Sequence, residues 1–230
     1  MNWLGHYAIL PNDAAQLTVI GGALADLGHD LTPCLRAPAM IDALQGRPDA
    51  AAAALSLGVR WHLAADAVFH DDPGVMAKMT AVRLRLHAPE FSELPRRREF
   101  IAHLLVELAL DAAWTARDPG LPACYARNFS ASDRAATIAL LETIFPGRYP
   151  GAAALLEKFS ERIIHFDDQR PEILAERLGR TLVFRLKLEP EKYPAEAMSK
   201  LFAEAIDEWR SQLDALNYQL RKAQKKIQSE

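Results

Sequence analysis

The spacing of apolar residues constrains this chain more than any other feature, because they recur every three or four positions along most of its 230 residues. That interval matches the 3.6-residue period of an α-helix and places the apolar side chains on one face. Runs that alternate apolar and polar residues, as strands do, are nearly absent from the sequence. We therefore predict an all-α fold, a helical bundle that ends in a long C-terminal helix.

Capping residues and helix breakers divide the periodic segments. Asn12 or Asp13, Asp49, and Ser130 or Ser132 suit helix N-caps, and Gly28 suits a C-cap. The prolines and glycine at 119–122 predict a loop. The predicted helices cover about residues 14–27, 49–69, 73–87, 98–116, 130–145, 152–165, 171–186 and 195–230.

The last predicted helix is amphipathic and defines our proposed domain division, with a helical metal-site domain at 1–190 and the C-terminal helix at 191–230. One face is apolar and comprises Leu201, Ala205, Trp209, Leu213, Leu216 and Leu220. Its end is basic, with Arg221, Lys222, Lys225 and Lys226. The helix either packs on its own domain, forms a homodimer, or offers its basic end to an acidic partner.

Composition excludes several classes of protein. The formal net charge of −3 gives no electrostatic basis for general nucleic-acid binding. No apolar run approaches the roughly 20 residues of a membrane span, and the N-terminus lacks the basic region of a signal peptide. The two cysteines, Cys34 and Cys124, form no Cys-x-x-Cys motif. We expect a cytoplasmic protein that does not bind nucleic acid and has no thiolate metal site.

Two predicted helices carry ligand-type residues at intervals of four. His62 and Asp66 share a helix face, and His70 follows one turn later. In the second helix, His103, Glu107 and Asp111 interrupt an otherwise apolar sequence. Because a helix rises 1.5 Å per residue, His103 and Asp111 are about 12 Å apart along its axis and cannot share one ion.

Two further candidates, His6 and Asp26, lie in apolar segments nearer the N-terminus. Each candidate has an ordinary alternative, because buried histidines usually find hydrogen-bond partners and a His–Asp pair one turn apart can be a simple ion pair. The presence of such residues in four separate apolar segments nevertheless favours a divalent-metal site, since helical bundles build their metal sites from inward-facing side chains.

The same residues fall into a recognisable pattern over about the first 120 positions. Its parts are Met1-Asn2-x-Leu4-x-His6, Gly22-x-Leu24-x-Asp26, Gly58-Val59-x-x-His62-x-x-x-Asp66, Pro73 and Asp111. This pattern resembles the acyl carrier protein phosphodiesterases, a family similar to the HD-domain metal phosphohydrolases. The chain departs from the family where it has Leu63 in place of Arg, His70 in place of Asp, and Ala112 in place of His.

The resemblance implies an HD-domain-like bundle that uses a divalent cation such as manganese to remove 4′-phosphopantetheine from acyl carrier protein. It implies metal or catalytic roles for His6, Asp26, His62, Asp66 and Asp111. To these we add His103 as a metal ligand, Asp26 as the group that orients or deprotonates the attacking water, and His70 as a proton donor. The alternatives are a metal hydrolase for another phosphoester and a non-catalytic helical binding protein that retains the fold.

Overall fold

The computed structural model describes residues 7, 10, 15–163 and 167–228, and within these ranges no residue lies in a strand. Ten α-helices are defined in this part of the chain, which confirms the all-α prediction. In chain order they are α1 (Gln16–Leu27), α2 (Ala37–Leu44), α3 (Ala50–Asp71), α4 (Pro73–Arg85), α5 (Arg98–Arg117), α6 (Leu121–Arg127), α7 (Ala131–Ile144), α8 (Ala152–Ile163), α9 (Pro171–Leu186) and α10 (Ala195–Gln228).

The predicted caps explain why several helices begin or end where expected. The Asp49 carboxylate accepts a hydrogen bond from the Ala51 backbone N–H at 2.9 Å, at the start of α3. Ser130, rather than Ser132, caps α7 by accepting a hydrogen bond from a backbone N–H in its first turn. Gly28 is the C-cap of α1. The side-chain bonds of Asp49 and Ser130 satisfy backbone donors that have no partner inside the helix.

One short helix departs from the sequence prediction. The residues at 119–122 predict a loop, but Pro122 lies in the first turn of α6, a helix of only seven residues. Proline is tolerated there because its missing N–H would have had no intrahelical partner. The alternative caps at residues 12 and 13 lie outside the described residues.

The described residues divide into two compact units. The α1 unit comprises residues 7, 10, 15–68, 119–163, 167 and 218–228, and the α5 unit comprises residues 69–118 and 168–217. Helices α3 and α10 each contribute residues to both units. The predicted boundary at residue 190 precedes the first residue of α10, Ala195, and the domain division itself stays a prediction.

The α1 unit contains a close crossing of two helices. A Cβ atom added to Gly58 of α3 would lie 2.0 Å from the Thr18 backbone oxygen of α1, and one added to Gly21 would lie 2.3 Å from the Leu55 backbone oxygen. Neither distance is possible for a real side chain, so only glycine permits this approach. The crossing determines where the polar side chains of both helices meet.

Helix α5 is buried along most of its length in the α5 unit. Its neighbours there include α4 and α9. The fully buried Trp209 of α10 donates a hydrogen bond from its indole Nε1 to the Val106 backbone oxygen at 3.0 Å. Lys78 of α4 lies over the Trp209 ring, 5.1 Å from its centroid. These contacts hold the polar positions of α5 in a fixed environment.

The apolar face predicted for the C-terminal helix is buried throughout, from Leu201 to Leu220. This agrees with a helix that packs on its own chain, and dimerisation through it stays a prediction. Within the described residues, none of the helices combines the length and apolar character that a membrane crossing requires.

Candidate metal centres

The crossing of α1 and α3 brings together three polar side chains that the sequence indicated as ligands. Nε2 of His62 lies 3.4 Å from Oδ1 of Asp26 and 3.6 Å from Oδ2 of Asp66. The His62 side chain is 4% exposed, Asp26 18% and Asp66 35%. The group therefore has a buried imidazole at its centre and its most accessible carboxylate at the solvent side. We call these three residues the His62 group.

Two effects act on the pKa of His62 in opposite directions. Burial lowers the pKa of His62, but hydrogen bonds and charge interactions with Asp26 and Asp66 outweigh it and raise the pKa to about 9. Without a cation, the imidazole is therefore protonated at neutral pH. The other oxygen of Asp26, Oδ2, is buried and accepts no hydrogen bond from any described residue. A buried carboxylate oxygen in that state is costly unless a cation is present.

A small pocket with a cavity volume of about 20 Å³ lies beside His62 within the α1 unit. Its walls include Tyr7, Val19, Trp61 and Tyr125, so it is largely apolar. The Tyr7 and Tyr125 rings are 5.0 Å apart between centroids. The pocket therefore gives the His62 imidazole an apolar environment on this side.

A second group of ligand-type residues lies in the α5 unit and comprises His70, His103 and Glu107. Each contributes one ligand atom, and all three atoms lie within 4.8 Å of one another. Nε2 of His103 is 2.9 Å from Oε1 of Glu107. The His70 and His103 rings stack with centroids 5.0 Å apart and an angle of 22° between their planes. These residues, the His70 group, could hold a metal ion.

The structure thus divides the predicted site residues between two groups. Asp26, His62 and Asp66 meet in the α1 unit, whereas His70 and His103 meet in the α5 unit. Asp111 is buried in α5 but is not one of the His70 group, which agrees with the expectation that it cannot share an ion with His103. His6 lies outside the described residues.

Glu107 is the site residue that sequence reasoning did not select. Its spacing of four residues from His103 was the available signal. The same spacing continues to Asp111, and the sequence does not show whether Glu107 pairs with a further ligand at the His103 end or at the Asp111 end. The partner is His70, which follows the His62–Asp66 pair on α3.

The basic run at 96–98 predicts a solvated helix start, with docking of a phosphate or an acidic protein as the alternative, and one of its members is used internally. Arg98 is buried and donates a hydrogen bond from Nη2 to the Phe91 backbone oxygen at 2.8 Å. Burial lowers its pKa, but the guanidinium stays charged. The Arg98 side chain therefore stabilises the loop before α5, whereas Arg96 and Arg97 are exposed.

Comparison with known proteins adds no relative, since no family model, curated protein or solved structure matches the chain. The two groups of residues described above are therefore the basis for a functional hypothesis.

Proposed function

We propose that this chain is a metal-dependent phosphoric ester hydrolase whose divalent cation is bound by His62 and Asp26. The observation that carries the proposal is the position of one imidazole nitrogen between two carboxylate oxygens. One N–H group shared between both oxygens makes two long hydrogen bonds, since both distances exceed the 2.7–2.9 Å of a typical charge-assisted hydrogen bond. A cation bound by Nε2 of His62 and Oδ1 of Asp26 would replace that shared proton.

The distance between His62 and Asp26 fits two ligands around one ion. Two atoms that each lie about 2.1 Å from a metal are about 3.0 Å apart at a right angle and about 3.4 Å apart at a tetrahedral angle. The separation of 3.4 Å between His62 and Asp26 falls in this range. Asp66 is the more exposed carboxylate; it does not form a three-ligand group within 4.8 Å together with His62 and Asp26, so its side chain would have to move to reach the same ion.

The chemistry follows from the donor set. A bound divalent cation lowers the pKa of a water molecule and neutralises charge on phosphoryl oxygens. The Asp26 carboxylate, whose Oδ2 accepts no hydrogen bond from the described residues, would orient or deprotonate the attacking water. The apolar residues beside His62 limit the access of water to the reacting atoms.

The finer assignment is to an activity like that of acyl carrier protein phosphodiesterase, with manganese as the cation. It is supported by the motif residues and by their assembly into the His62 group. Roles for His6 and Asp111 in the same reaction remain predictions from the resemblance. Arg96, Arg97 and the basic end of α10 are exposed charges that suit an acidic carrier protein.

The test is hydrolysis by purified protein with manganese. The substrates are bis(p-nitrophenyl) phosphate and holo acyl carrier protein, whose loss of phosphopantetheine is read by mass. Asp26→Asn and His62→Gln should each lower the rate about 100-fold or more. The matched controls Asp42→Asn and His29→Gln change residues of the same unit outside the His62 group and should retain the wild-type rate. Wild-type activity in both site variants would refute the proposal.

A second function, a non-catalytic helical binding protein, is favoured by one observation. A protonated His62 between two carboxylates is already a charge-paired group that needs no metal. This alternative predicts a protein that purifies without metal and hydrolyses none of the phosphoesters offered. Activity on other phosphoesters but not on holo acyl carrier protein would instead indicate a hydrolase with a different substrate.

A further inference from the structure

The proposed hydrolytic centre is built from the His62 group, and we infer that the His70 group is a further site for one divalent cation of the imidazole-preferring class, represented by Zn²⁺. This inference does not depend on the proposed function. It follows from three side chains that belong to one compact unit and come from two helices, α3 and α5.

The geometry of the His70 group is already close to that of bound ligands. The 2.9 Å between His103 Nε2 and Glu107 Oε1 is the separation expected when both lie about 2.1 Å from an ion at nearly a right angle. The spacing of four residues along α5 holds these two groups on one face. No backbone movement is needed to bring them to a shared ion.

The ordinary alternative is a His–Glu ion pair one helical turn apart. That pair accounts for His103 and Glu107 but not for the second imidazole. His70 stacks on His103 at 5.0 Å, and its ligand nitrogen comes within 4.8 Å of the other two ligand atoms. Phe69 also contacts both imidazole rings edge-on, which holds the two rings in a fixed orientation. Ligands that are oriented in advance are a requirement of a tight metal site.

The types of ligand in the His70 group and their burial indicate which cation the group prefers. Two imidazoles and one carboxylate are the protein ligands of many zinc sites that keep a fourth position open to solvent. The Glu107 side chain is 5% exposed and lies at the inner end, whereas His103 is 33% exposed. A cation therefore enters from the solvent side and meets a buried negative charge. Two nitrogen ligands out of three favour Zn²⁺ over Mn²⁺, which prefers oxygen ligands.

A bound ion also changes the role that the sequence indicated for His70. An imidazole that coordinates a metal through its ring nitrogen is in its neutral form and is not a proton donor. The site is therefore structural, or binds a ligand at its open position, rather than supplying the acid of the reaction at His62.

The experiment measures zinc binding directly, in the His62→Gln background so that the other centre does not contribute. Chelator-treated protein is titrated with Zn²⁺, and with Co²⁺ to record visible absorption bands. We expect one bound ion and affinity at least about tenfold weaker after His103→Ala or His70→Ala. His87→Ala, which changes an exposed histidine of the same unit, should leave binding unchanged.

A folding control keeps the result interpretable. Circular dichroism shows whether each variant is folded, and His70 near the end of α3 gives a variant that does not alter the buried part of α5. Zinc uptake that is equal in all four proteins, or absent from the His62→Gln protein, would overturn the inference. Because zinc binding is read without any substrate, its failure is distinct from a failure of the hydrolase proposal.

Discussion

Replacing Gly58 with alanine tests whether the close crossing of α1 and α3 positions the His62 group. Gly58 is one turn from His62 on α3, and it contacts the Thr18 backbone of α1. The change adds a single methyl group and touches no proposed ligand. Any effect on metal binding must therefore pass through the separation of the two helices.

The size of the effect follows from the geometry. The added Cβ would lie 2.0 Å from a backbone oxygen, whereas ordinary contact begins at 3.4 Å, so the backbones must separate locally by about 1.4 Å. Overpacking of this kind costs about 1–3 kcal/mol, and a rigid backbone neighbour places it at the upper end. The higher helix propensity of alanine offsets about 1 kcal/mol of this cost. We expect a net loss of about 2 kcal/mol in the free energy of unfolding.

The matched control is Gly22→Ala, on the other helix of the same crossing. Its Cβ would lie 3.6 Å from the Gly58 backbone oxygen, which is ordinary contact. This variant should therefore keep or gain up to about 1 kcal/mol of stability. Urea denaturation measures both variants, and manganese-dependent hydrolysis measures the consequence for the site.

We expect Gly58→Ala to lower the hydrolysis rate by about 100-fold, because a ligand displaced by more than 1 Å no longer has productive geometry. Gly22→Ala, which adds a methyl group at the wall of the pocket beside His62, should retain manganese binding. If the two variants were equally stable and equally active, the helix crossing would not control the site, and the link from glycine spacing to ligand geometry would be wrong.

Three other predictions concern stability. Trp209→Phe removes the indole donor to Val106 and should lower the free energy of unfolding by about 1–3 kcal/mol in urea denaturation; an unchanged midpoint would show that the contact is unimportant. In chelator-treated protein, the pKa of His62 is raised to about 9 from 6.5, so its stabilisation is complete below pH 6.5 and is lost as the pH rises through 9. Unfolding measured from pH 6 to pH 10 should show this loss, and a profile identical to that of His62→Gln would contradict it. Lys78→Ala breaks an ion pair from a side chain that is 8% exposed and should be measurably destabilising, whereas Lys200→Ala breaks an exposed pair and should leave thermal unfolding unchanged. Equal changes in thermal unfolding for the two substitutions would show that burial of the lysine does not determine how much its ion pair stabilises the fold.

Much of the fold could be predicted from local signals. The predicted helix at 171–186 coincides with α9, because Pro171 suits the first helical turn and the apolar period is regular. Helix α6 was missed because Pro119, Gly120 and Pro122 are individually typical of loops. A helix this short depends on its neighbours more than on its own propensity.

Local sequence signals also predicted part of the candidate site. His62 and Asp66 are linked by helical spacing, which is visible in the sequence, and Asp26 was marked by its apolar surroundings. The pairing of His70 with His103 and Glu107 depends on how α3 and α5 pack, and no local pattern encodes that contact. The hydrogen bond from Arg98 to the Phe91 backbone oxygen was also not predictable, because it depends on how the loop seven residues earlier folds against α5.

The most direct test of a cation at His62 is diffraction from manganese-soaked crystals, recorded at the manganese absorption edge. We expect an anomalous peak about 2.2 Å from Nε2 of His62 and from the Asp26 carboxylate. The contradictory result is density with no peak there, in which His62 still lies between Asp26 and Asp66 as an ion pair.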